Sequence, residues 1–256
     1  MFLAIDAGNS NIVFGFYHEL KGEWIHEFRI VTNRDATALQ VEKSLHLYLL
    51  ESEIKIADIE SIGLSSVVPE LNAVIEQLCL EFFGKPCYLI NGSSYRKLKV
   101  KTGRPDEIGT DLMCNVTAAF EKTNEATIVV DFGTALTFTV IDKEGKVMGV
   151  NIVPGLQTAI KALFTQTSKL PEVPLVKPPS AIGKNTVHSI QAGIFYGYTG
   201  LVKEMLKTIQ DELGYPCKII ATGGLSSILF SLEDQFEVVD RTLTLEGIRL
   251  ITVANS

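Results

Sequence analysis

The chain has 256 residues, of which 46% are hydrophobic and 21% are charged, so it can bury a sizeable core and is neither disordered nor fibrous. Its net charge of −7 argues against nucleic acid or an anionic membrane as the main partner. No apolar run approaches the roughly 18 residues of a membrane helix, and the N-terminus lacks the basic region of a signal peptide, so we expect a cytoplasmic protein.

The N-terminal residues predict a β-hairpin with a glycine turn. Residues 3–17 read LAIDAGNSNIVFGFY, in which an apolar strand is followed by Asp-x-Gly, a small polar residue and a second, alternating strand. Alternation with a period of two is typical of a half-buried strand. The first half then continues as an α/β arrangement. We expect helices over 36–51, 70–83 and 111–121, and strands over 60–67 and 86–90.

The second half begins with an echo of the first. Residues 128–142 read IVVDFGTALTFTVID, and Asp131, Gly133 and Thr134 follow Asp6, Gly8 and Asn9 at an offset of 125. A strand over 146–152, a proline-rich loop, a helix over 186–213, a strand over 218–221 and a closing helix over 244–253 complete the prediction. Thr186 is the expected N-cap of the long helix, and Gly214 its stop.

The two glycine turns suggest phosphate binding. A turn without a Cβ lets backbone amides approach an anion closely. A carboxylate beside such a turn usually holds a cation that bridges to phosphate oxygens. The alternative is a plain hairpin with a polar turn, but its occurrence twice favours phosphate. Two similar halves, divided near residue 117 into 1–117 and 118–256, predict a nucleotide cleft between them.

Other signatures are missing or ambiguous. The sequence contains no phosphate-binding G-x-x-x-x-G-K-[ST] loop. It also has no dinucleotide-binding G-x-G-x-x-G after a strand. The cysteines fit no zinc spacing, so we expect four reduced, buried thiols. Three glycines in the long helix, at 193, 197 and 200, favour close packing against either a second copy or another part of the same domain. Lys184 is either a phosphate ligand or a solvated loop residue, and His188 is expected on the surface or at an interface.

At this point the motifs identify a family. The paired hairpins and the turn Thr222-Gly223-Gly224 resemble the superfamily of acetate and sugar kinases, Hsp70 and actin, whose two RNase H-like, actin-like domains bind ATP. Within it, the chain resembles the type III pantothenate kinases almost from end to end. The resemblance rests on the segments DAGNSN (6–11), SSVVP (65–69), PDEIGTD (105–111), DFGTA (131–135), PG (154–155), AIGKNT (181–186), QAGIFYG (191–197) and ATGG (221–224).

The resemblance implies that the protein phosphorylates pantothenate with ATP to give 4'-phosphopantothenate, the first step of coenzyme A biosynthesis. It also implies a homodimer, magnesium with ATP, and a potassium or ammonium ion at Asp131. Asp111 is implied as the catalytic base. The implied ATP and phosphate contacts are Asp6, Ala7, Gly8, Asn9, Ser10, Asn11, Ile12, Val13, Gly133, Thr134, Gly223 and Gly224. The implied pantothenate contacts are Thr102, Gly109, Thr110, Asp111, Leu112 and Thr186.

Two departures concern the pantothenate contacts. Leu112 stands where the family has an arginine for the pantothenate carboxylate, and Thr102 stands where it has a tyrosine. Arg104, Lys101 or Lys99 are candidates to replace that charge. The alternatives are a kinase for another small alcohol or a non-catalytic ATP-binding accessory protein. From the residues alone, a helix N-cap is the favoured role of Asp111, and the helix dipole is expected to keep it ionised with an ordinary pKa.

Overall fold

The computed structural model describes residues 1–224, 226 and 230–256, which form two compact units. The first unit comprises Met1–Glu121 and Thr242–Ser256, and the second comprises Lys122–Arg241. Within the described residues, no helix combines the length and the apolar character needed to cross a bilayer.

The first unit is built on a five-stranded sheet in the order β3-β2-β1-β4-β5. The strands β1 to β3 are antiparallel, and β4 and β5 run parallel to β1. The strands are β1 (Phe2–Ala7), β2 (Asn11–His18), β3 (Glu23–Val31), β4 (Ser61–Ser66) and β5 (Tyr88–Leu89). The predicted first hairpin is therefore confirmed. The strand β3 was not predicted, because its exposed and half-buried residues alternate only weakly.

Three helices of this unit lie close to their predicted positions: α1 (Ala38–Glu51), α2 (Asn72–Phe82) and α3 (Thr110–Thr123). A capping box starts α1, in which the Thr37 N–H donates to Gln40 Oε1 at 2.9 Å. Val41, Leu45 and Leu49, at four-residue spacing, are buried in the core between α1 and the sheet. This apolar stripe is the periodicity from which the helix was predicted.

The C-terminal helix α6 (Leu243–Asn255) belongs to the first unit. The sequence prediction had assigned residues 118–256 to one domain, and this assignment of α6 differs from the structure. The physical reason is non-local packing, since Ile248 and Ile251 are fully buried. A Cβ on Gly63 of β4 would lie 2.8 Å from Ile248 Cγ2, so β4 and α6 are in close contact.

The second unit has a sheet of the same arrangement, in the order β8-β7-β6-β9-β10. The strands β6 to β8 are antiparallel, and β9 and β10 continue parallel to β6. They are β6 (Thr127–Phe132), β7 (Ala135–Ile141), β8 (Val147–Pro154), β9 (Lys218–Thr222) and β10 (Val238–Val239). The internal sequence echo thus corresponds to a repeated topology, and the prediction of two similar α/β halves is confirmed.

Two helices accompany this sheet, α4 (Leu156–Gln166) and α5 (Thr186–Leu213). The prediction gave the bounds of α5 correctly, and Gly214 ends it in a left-handed conformation with φ of 74°. The predicted N-cap Thr186 is wrong, because Asn185 Oδ1 accepts the His188 N–H at 2.9 Å. The helix α4 was not predicted, since the prediction placed a loop after residue 152.

Candidate active site

The first glycine turn, residues 8–10, is held from two sides. The Gly8 N–H donates to the Asn11 carbonyl at 3.0 Å within the hairpin. From the end of β3, the Thr32 N–H donates to the Ser10 carbonyl at 3.0 Å, and Thr32 Oγ1 donates to the Gly8 carbonyl at 2.6 Å. Asn9 and Ser10 are exposed. The turn is therefore fixed through its carbonyls, and its polar side chains face solvent, as an anion-binding turn requires.

Arg34 adds a positive charge to this turn, which the sequence analysis did not single out. Its Nη2 donates to Asn9 Oδ1 at 3.2 Å, and its Nη1 lies 3.6 Å from Glu70 Oε1. The contact with Arg34 uses only the acceptor Oδ1 of Asn9, so the amide NH₂ group of Asn9 remains available as a donor. No local sequence pattern marks Arg34, which lies 25 residues from Asn9.

Asp6 and Asp111 lie on the same side of the first unit. Asp6 is paired in register with Ser65 of β4, and Ser65 Oγ is 2.9 Å from Thr110 Oγ1 at the start of α3. Burial raises the pKa of the Cys114 thiol, and the negative charges of Asp6 and Asp111 raise it further. The register of Asp6 with Ser65 and the contact of Ser65 with Thr110, the neighbour of Asp111, bring the two predicted site residues into the same region of the unit.

The thiols of Cys114 and Cys79 are buried, as expected. Cys87 and Cys217 are half-buried, so the expectation of four buried thiols is wrong for these two.

Asp111 lies in the first turn of α3 and is half-buried. The Leu112 N–H donates to its Oδ1 at 2.8 Å. A Cβ on Gly109 would overlap Asp111 Oδ1, so a glycine at 109 is what gives the carboxylate its position. Burial raises the pKa of Asp111, and this effect outweighs the hydrogen bonds that lower it. The expectation of an ordinary pKa is thus wrong, because desolvation prevails over the field of the helix terminus.

Tyr95 is a further residue near Asp111 that the sequence analysis missed. Its ring is buried, and its hydroxyl has no hydrogen-bond partner among the described residues. Burial raises the pKa of Tyr95, and the charges of Cys114, Asp111 and Asp106 raise it further. Tyr95 lies in a short 3-10 helix, residues 92–97, that contacts α6. The burial of Tyr95 depends on the non-local contact of this 3-10 helix with α6, so no local sequence signal marks this residue.

The loop before Asp111 holds the candidate cations for an acceptor carboxylate. Arg104 Nη1 pairs with Glu107 Oε2 at 3.0 Å, and both side chains are mostly exposed. Lys101 Nζ donates to the Arg96 carbonyl at 3.1 Å. Thr102 and Leu112 are half-buried, and Thr102 Oγ1 accepts the Arg104 N–H at 3.2 Å. The third candidate, Lys99, pairs with Glu121 Oε2 at 2.8 Å.

In the second unit, Asp131 lies in β6, and two glycines approach its carboxylate closely. A Cβ on Gly223 would lie 2.5 Å from Asp131 Oδ1, and one on Gly133 would lie 3.4 Å from it. Gly223 has a φ of 91°, which only glycine adopts without strain. Asp131 is paired in register with Thr137 of β7, so the two side chains share one face. Thr137 Oγ1 is buried without a partner among the described residues.

The second glycine turn is fixed from the start of α4. The Gly155 N–H donates to the Thr134 carbonyl at 2.9 Å, and Thr158 Oγ1 donates to the same carbonyl at 2.7 Å. Gly155 is packed so closely that a Cβ there would overlap the Gly133 carbonyl. As in the first unit, the turn is held through its carbonyls, and the side chain of Thr134 is exposed. Gly224 is exposed beside Gly223.

Thr186 lies at the exposed start of α5, in an open hollow of about 610 Å³. His188 lines the same hollow but is buried, so the expected surface position is wrong. Its Nδ1 accepts the Lys184 N–H at 3.3 Å, and its Nε2 is 2.8 Å from the Ser180 carbonyl. Since a carbonyl only accepts, Nε2 is the donor in this contact. The two bonds fix the loop that precedes α5.

Comparison with known proteins adds to this geometry. The chain matches a family model described as type III pantothenate kinase over residues 2–208. It is 41% identical over 255 residues to a type III pantothenate kinase from Citrifermentans bemidjiense, with 100% of both chains covered.

Solved structures bear on the fold alone. The ADPNP-bound activator of the 2-hydroxyisocaproyl-CoA dehydratase from Clostridium difficile has a TM-score of 0.54 at 8% identity, covering 99% of this chain and 95% of that one. A candidate 2-dehydro-3-deoxygalactonokinase from Sinorhizobium meliloti has a TM-score of 0.57 at 13% identity, covering 99% and 96%. The predicted two-domain α/β fold of sugar kinases and actin is confirmed.

Proposed function

The chain belongs to the type III pantothenate kinase family, and we propose that it transfers the γ-phosphoryl group of ATP to the primary hydroxyl of pantothenate, with Asp111 as the base. The observation that carries the assignment of Asp111 is its position next to Thr110, whose Oγ1 lies 2.9 Å from Oγ of Ser65, the register partner of Asp6, with the pKa of Asp111 raised by burial. A base with a raised pKa accepts a proton more readily than an exposed aspartate does. The reaction is the first step of coenzyme A biosynthesis.

The two glycine turns supply the phosphate contacts in this proposal. Residues 6–13 in the first unit, and Gly133 with Thr134 in the second, present amides and polar side chains around turns whose carbonyls are already bonded. Asp6 would hold the divalent ion that accompanies ATP, and Gly223 with Gly224 would lie beside the adenosine. In a loose phosphoryl-transfer transition state, charge develops on the phosphoryl oxygens, and fixed amides stabilise it without reorganising.

Asp111 acts on the acceptor. It orients the primary hydroxyl for in-line attack, and its carboxylate takes the hydroxyl proton as the new P–O bond forms and the bond to the leaving ADP breaks. The Leu112 N–H, bonded to Oδ1 at 2.8 Å, fixes the rotamer of the carboxylate. The second oxygen, Oδ2, is the one we assign to the hydroxyl.

Asp131 fits a monovalent cation such as potassium or ammonium. Its carboxylate is bracketed by Gly133 and Gly223, and the buried, unpartnered Thr137 Oγ1 lies on the same face. No group of three His, Cys, Asp or Glu side chains among the described residues has metal-binding geometry. A carboxylate and neutral oxygens are ligands that hard cations take in proteins. When bound, the ion would neutralise Asp131 beside the phosphates.

Pantothenate contacts Thr102, Gly109, Thr110, Leu112 and Thr186 in this proposal, with Arg104 as the partner of its carboxylate. Coupled ADP release with pantothenate, compared with pantothenyl alcohol, tests both the reaction and the carboxylate contact. We expect turnover with both compounds and a higher KM for the alcohol. No ADP release above the pantothenate-free rate would contradict the proposed reaction.

The protein forms a homodimer in this proposal, through the face of α5 that carries Gly193, Gly197 and Gly200. No described atom outside the helix backbone lies within 4 Å of the position of a Cβ at any of the three, which favours a second copy over packing within the domain. Met148 and Ile152 on the edge strand β8 are 50% and 66% exposed, and such apolar surface supports an interface. Its use of ATP supports a cytoplasmic location.

A further inference from the structure

Three chain segments leave the sheet of the first unit at the end where the first glycine turn lies. The strands β1 and β4 are parallel, and β3 runs in the same direction because both β1 and β3 are antiparallel to β2. The carboxyl ends of β1, β3 and β4 therefore lie along one end of the sheet. In the order β3-β2-β1-β4, the turn between β1 and β2 has the end of β3 on one side and the end of β4 on the other.

One ion pair joins the two segments that flank this turn. Arg34 follows β3, and Glu70 follows β4. Arg34 Nη1 lies 3.6 Å from Glu70 Oε1, and Arg34 Nη2 donates to Asn9 Oδ1 at 3.2 Å. The guanidinium group thus reaches from the side of β3 towards that of β4, and its contact on the way is the side chain of Asn9 in the glycine turn.

The backbone on each side of the turn is fixed without the help of this ion pair. On the β3 side, the Asp35 N–H donates to Asn33 Oδ1 at 3.0 Å, in a local turn around Arg34. On the β4 side, the Leu71 N–H donates to the Val68 carbonyl at 3.0 Å, and both of these side chains are buried. Removal of either charge is therefore expected to leave the fold intact.

The contact between Arg34 and Glu70 is one that a phosphate group can replace. The two side chains are 60% and 53% exposed, and an ion pair at the surface contributes little to stability. A separation of 3.6 Å is also too long for a hydrogen bond, so the attraction is one of charge alone. A phosphate group offers a guanidinium two parallel, charge-assisted hydrogen bonds, which are stronger.

We propose that Arg34 is a further ATP-binding residue, which turns from Glu70 to an oxygen of the β- or γ-phosphate when nucleotide binds at the first glycine turn. This role rests on the proposed function, because it requires that the turn hold ATP phosphates. Without nucleotide, Glu70 balances the charge of the guanidinium group. Glu70 therefore competes with phosphate for Arg34, and the two members of the ion pair have opposite effects on nucleotide affinity.

The test is calorimetric titration with ADPNP and magnesium in the absence of pantothenate, so that it does not depend on the acceptor. We expect Arg34→Ala to raise the Kd of ADPNP at least about tenfold. Arg34→Lys should raise it less, because lysine keeps the charge but not the planar fork. We expect Glu70→Gln to lower the Kd about two- to fivefold, which corresponds to the loss of a competing surface ion pair.

Arg29→Ala is the matched control, because Arg29 forms an ion pair with Glu27 on β3 at 2.7 Å, away from the turn. Its Kd for ADPNP should equal that of the wild type. Thermal melts without nucleotide check that all variants are folded.

The opposite signs separate a phosphate contact from a merely structural ion pair. If the pair only stabilises the glycine turn, Glu70→Gln will weaken ADPNP binding as Arg34→Ala does, and the proposal is overturned. An unchanged Kd in Arg34→Ala, with normal binding by the wild type, overturns the role of Arg34 and leaves the proposed kinase function standing. A wild-type protein that binds no ADPNP would contradict both.

Discussion

We expect Asp111→Asn to lower kcat by about 10²–10⁴-fold, the usual worth of a general base. At about 1.4 kcal/mol for each factor of ten, this is roughly 3–5 kcal/mol of transition-state stabilisation. The substitution keeps the shape of the side chain and an acceptor for the Leu112 N–H, which lies 2.8 Å from Oδ1. It removes the negative charge and with it the ability to take a proton. The KM values for ATP and pantothenate should therefore change much less than kcat.

The raised pKa of Asp111 also predicts whether Asp111→Asn stabilises or destabilises the folded protein. A carboxyl whose pKa is higher in the folded than in the unfolded chain contributes its full stability below the unfolded value of 3.8, and this contribution is lost as the pH rises through the raised pKa. At neutral pH the charged, buried form is a net cost. Asp111→Asn removes that charge, so we expect its melting temperature at pH 7.5 to equal or exceed that of the wild type.

The assay is coupled ADP release over a range of pH, together with a thermal melt at pH 7.5. Asp106→Asn is the matched control, because Asp106 is an exposed aspartate in the same loop. ATP itself titrates in the wild type and in both variants. A fall in kcat at low pH that is present in the wild type and in Asp106→Asn but absent in Asp111→Asn therefore reports on Asp111. If Asp111→Asn keeps more than about a tenth of the wild-type kcat, the loss is smaller than that expected on removing a general base. Asp111 would then be a helix cap alone.

Four further substitutions test the remaining parts of the proposed function. Asp131→Ala is expected to remove both the dependence on potassium and most of the activity, whereas equal wild-type rates in sodium and potassium buffers would contradict a monovalent ion. Arg104→Ala is expected to raise the KM for pantothenate at least about tenfold, or roughly 1.4 kcal/mol, without changing the KM for ATP or pantothenyl alcohol; Leu112→Arg should be tolerated. Gly197→Phe is expected to give a folded monomer by light scattering, and an unchanged dimer would place the interface elsewhere.

The parts of the fold that sequence reasoning predicted are those with local causes. Both glycine turns follow from the period-two alternation around Asp-x-Gly, and α5 follows from apolar spacing that ends at Gly214. The position of α6 could not be predicted in this way. Its helical pattern is local, but the surface that it covers belongs to strands more than 170 residues earlier in the chain.

In the candidate site, too, features with local causes could be predicted from the sequence and features that depend on non-local packing could not. The phosphate contacts rest on backbone turns, which glycine reveals in the sequence. The raised pKa of Asp111 and the buried hydroxyl of Tyr95 depend on what packs around them. No sequence spacing encodes that environment, because burial is a property of the assembled unit.

The candidate cations for the pantothenate carboxylate differ in the interaction that each must break in order to bind it. Arg104 and Glu107 are 77% and 68% exposed as side chains, and such a surface pair is worth about 0–1 kcal/mol. Lys99 forms a similar pair with Glu121, but from a position anchored beside the buried Val100. Arg104 follows Gly103, around which nothing described lies within 4 Å of a Cβ. Arg104 also offers two parallel N–H groups to a carboxylate, which a lysine does not. We therefore propose Arg104, eight residues before Leu112, as the source of the charge that the pantothenate carboxylate needs.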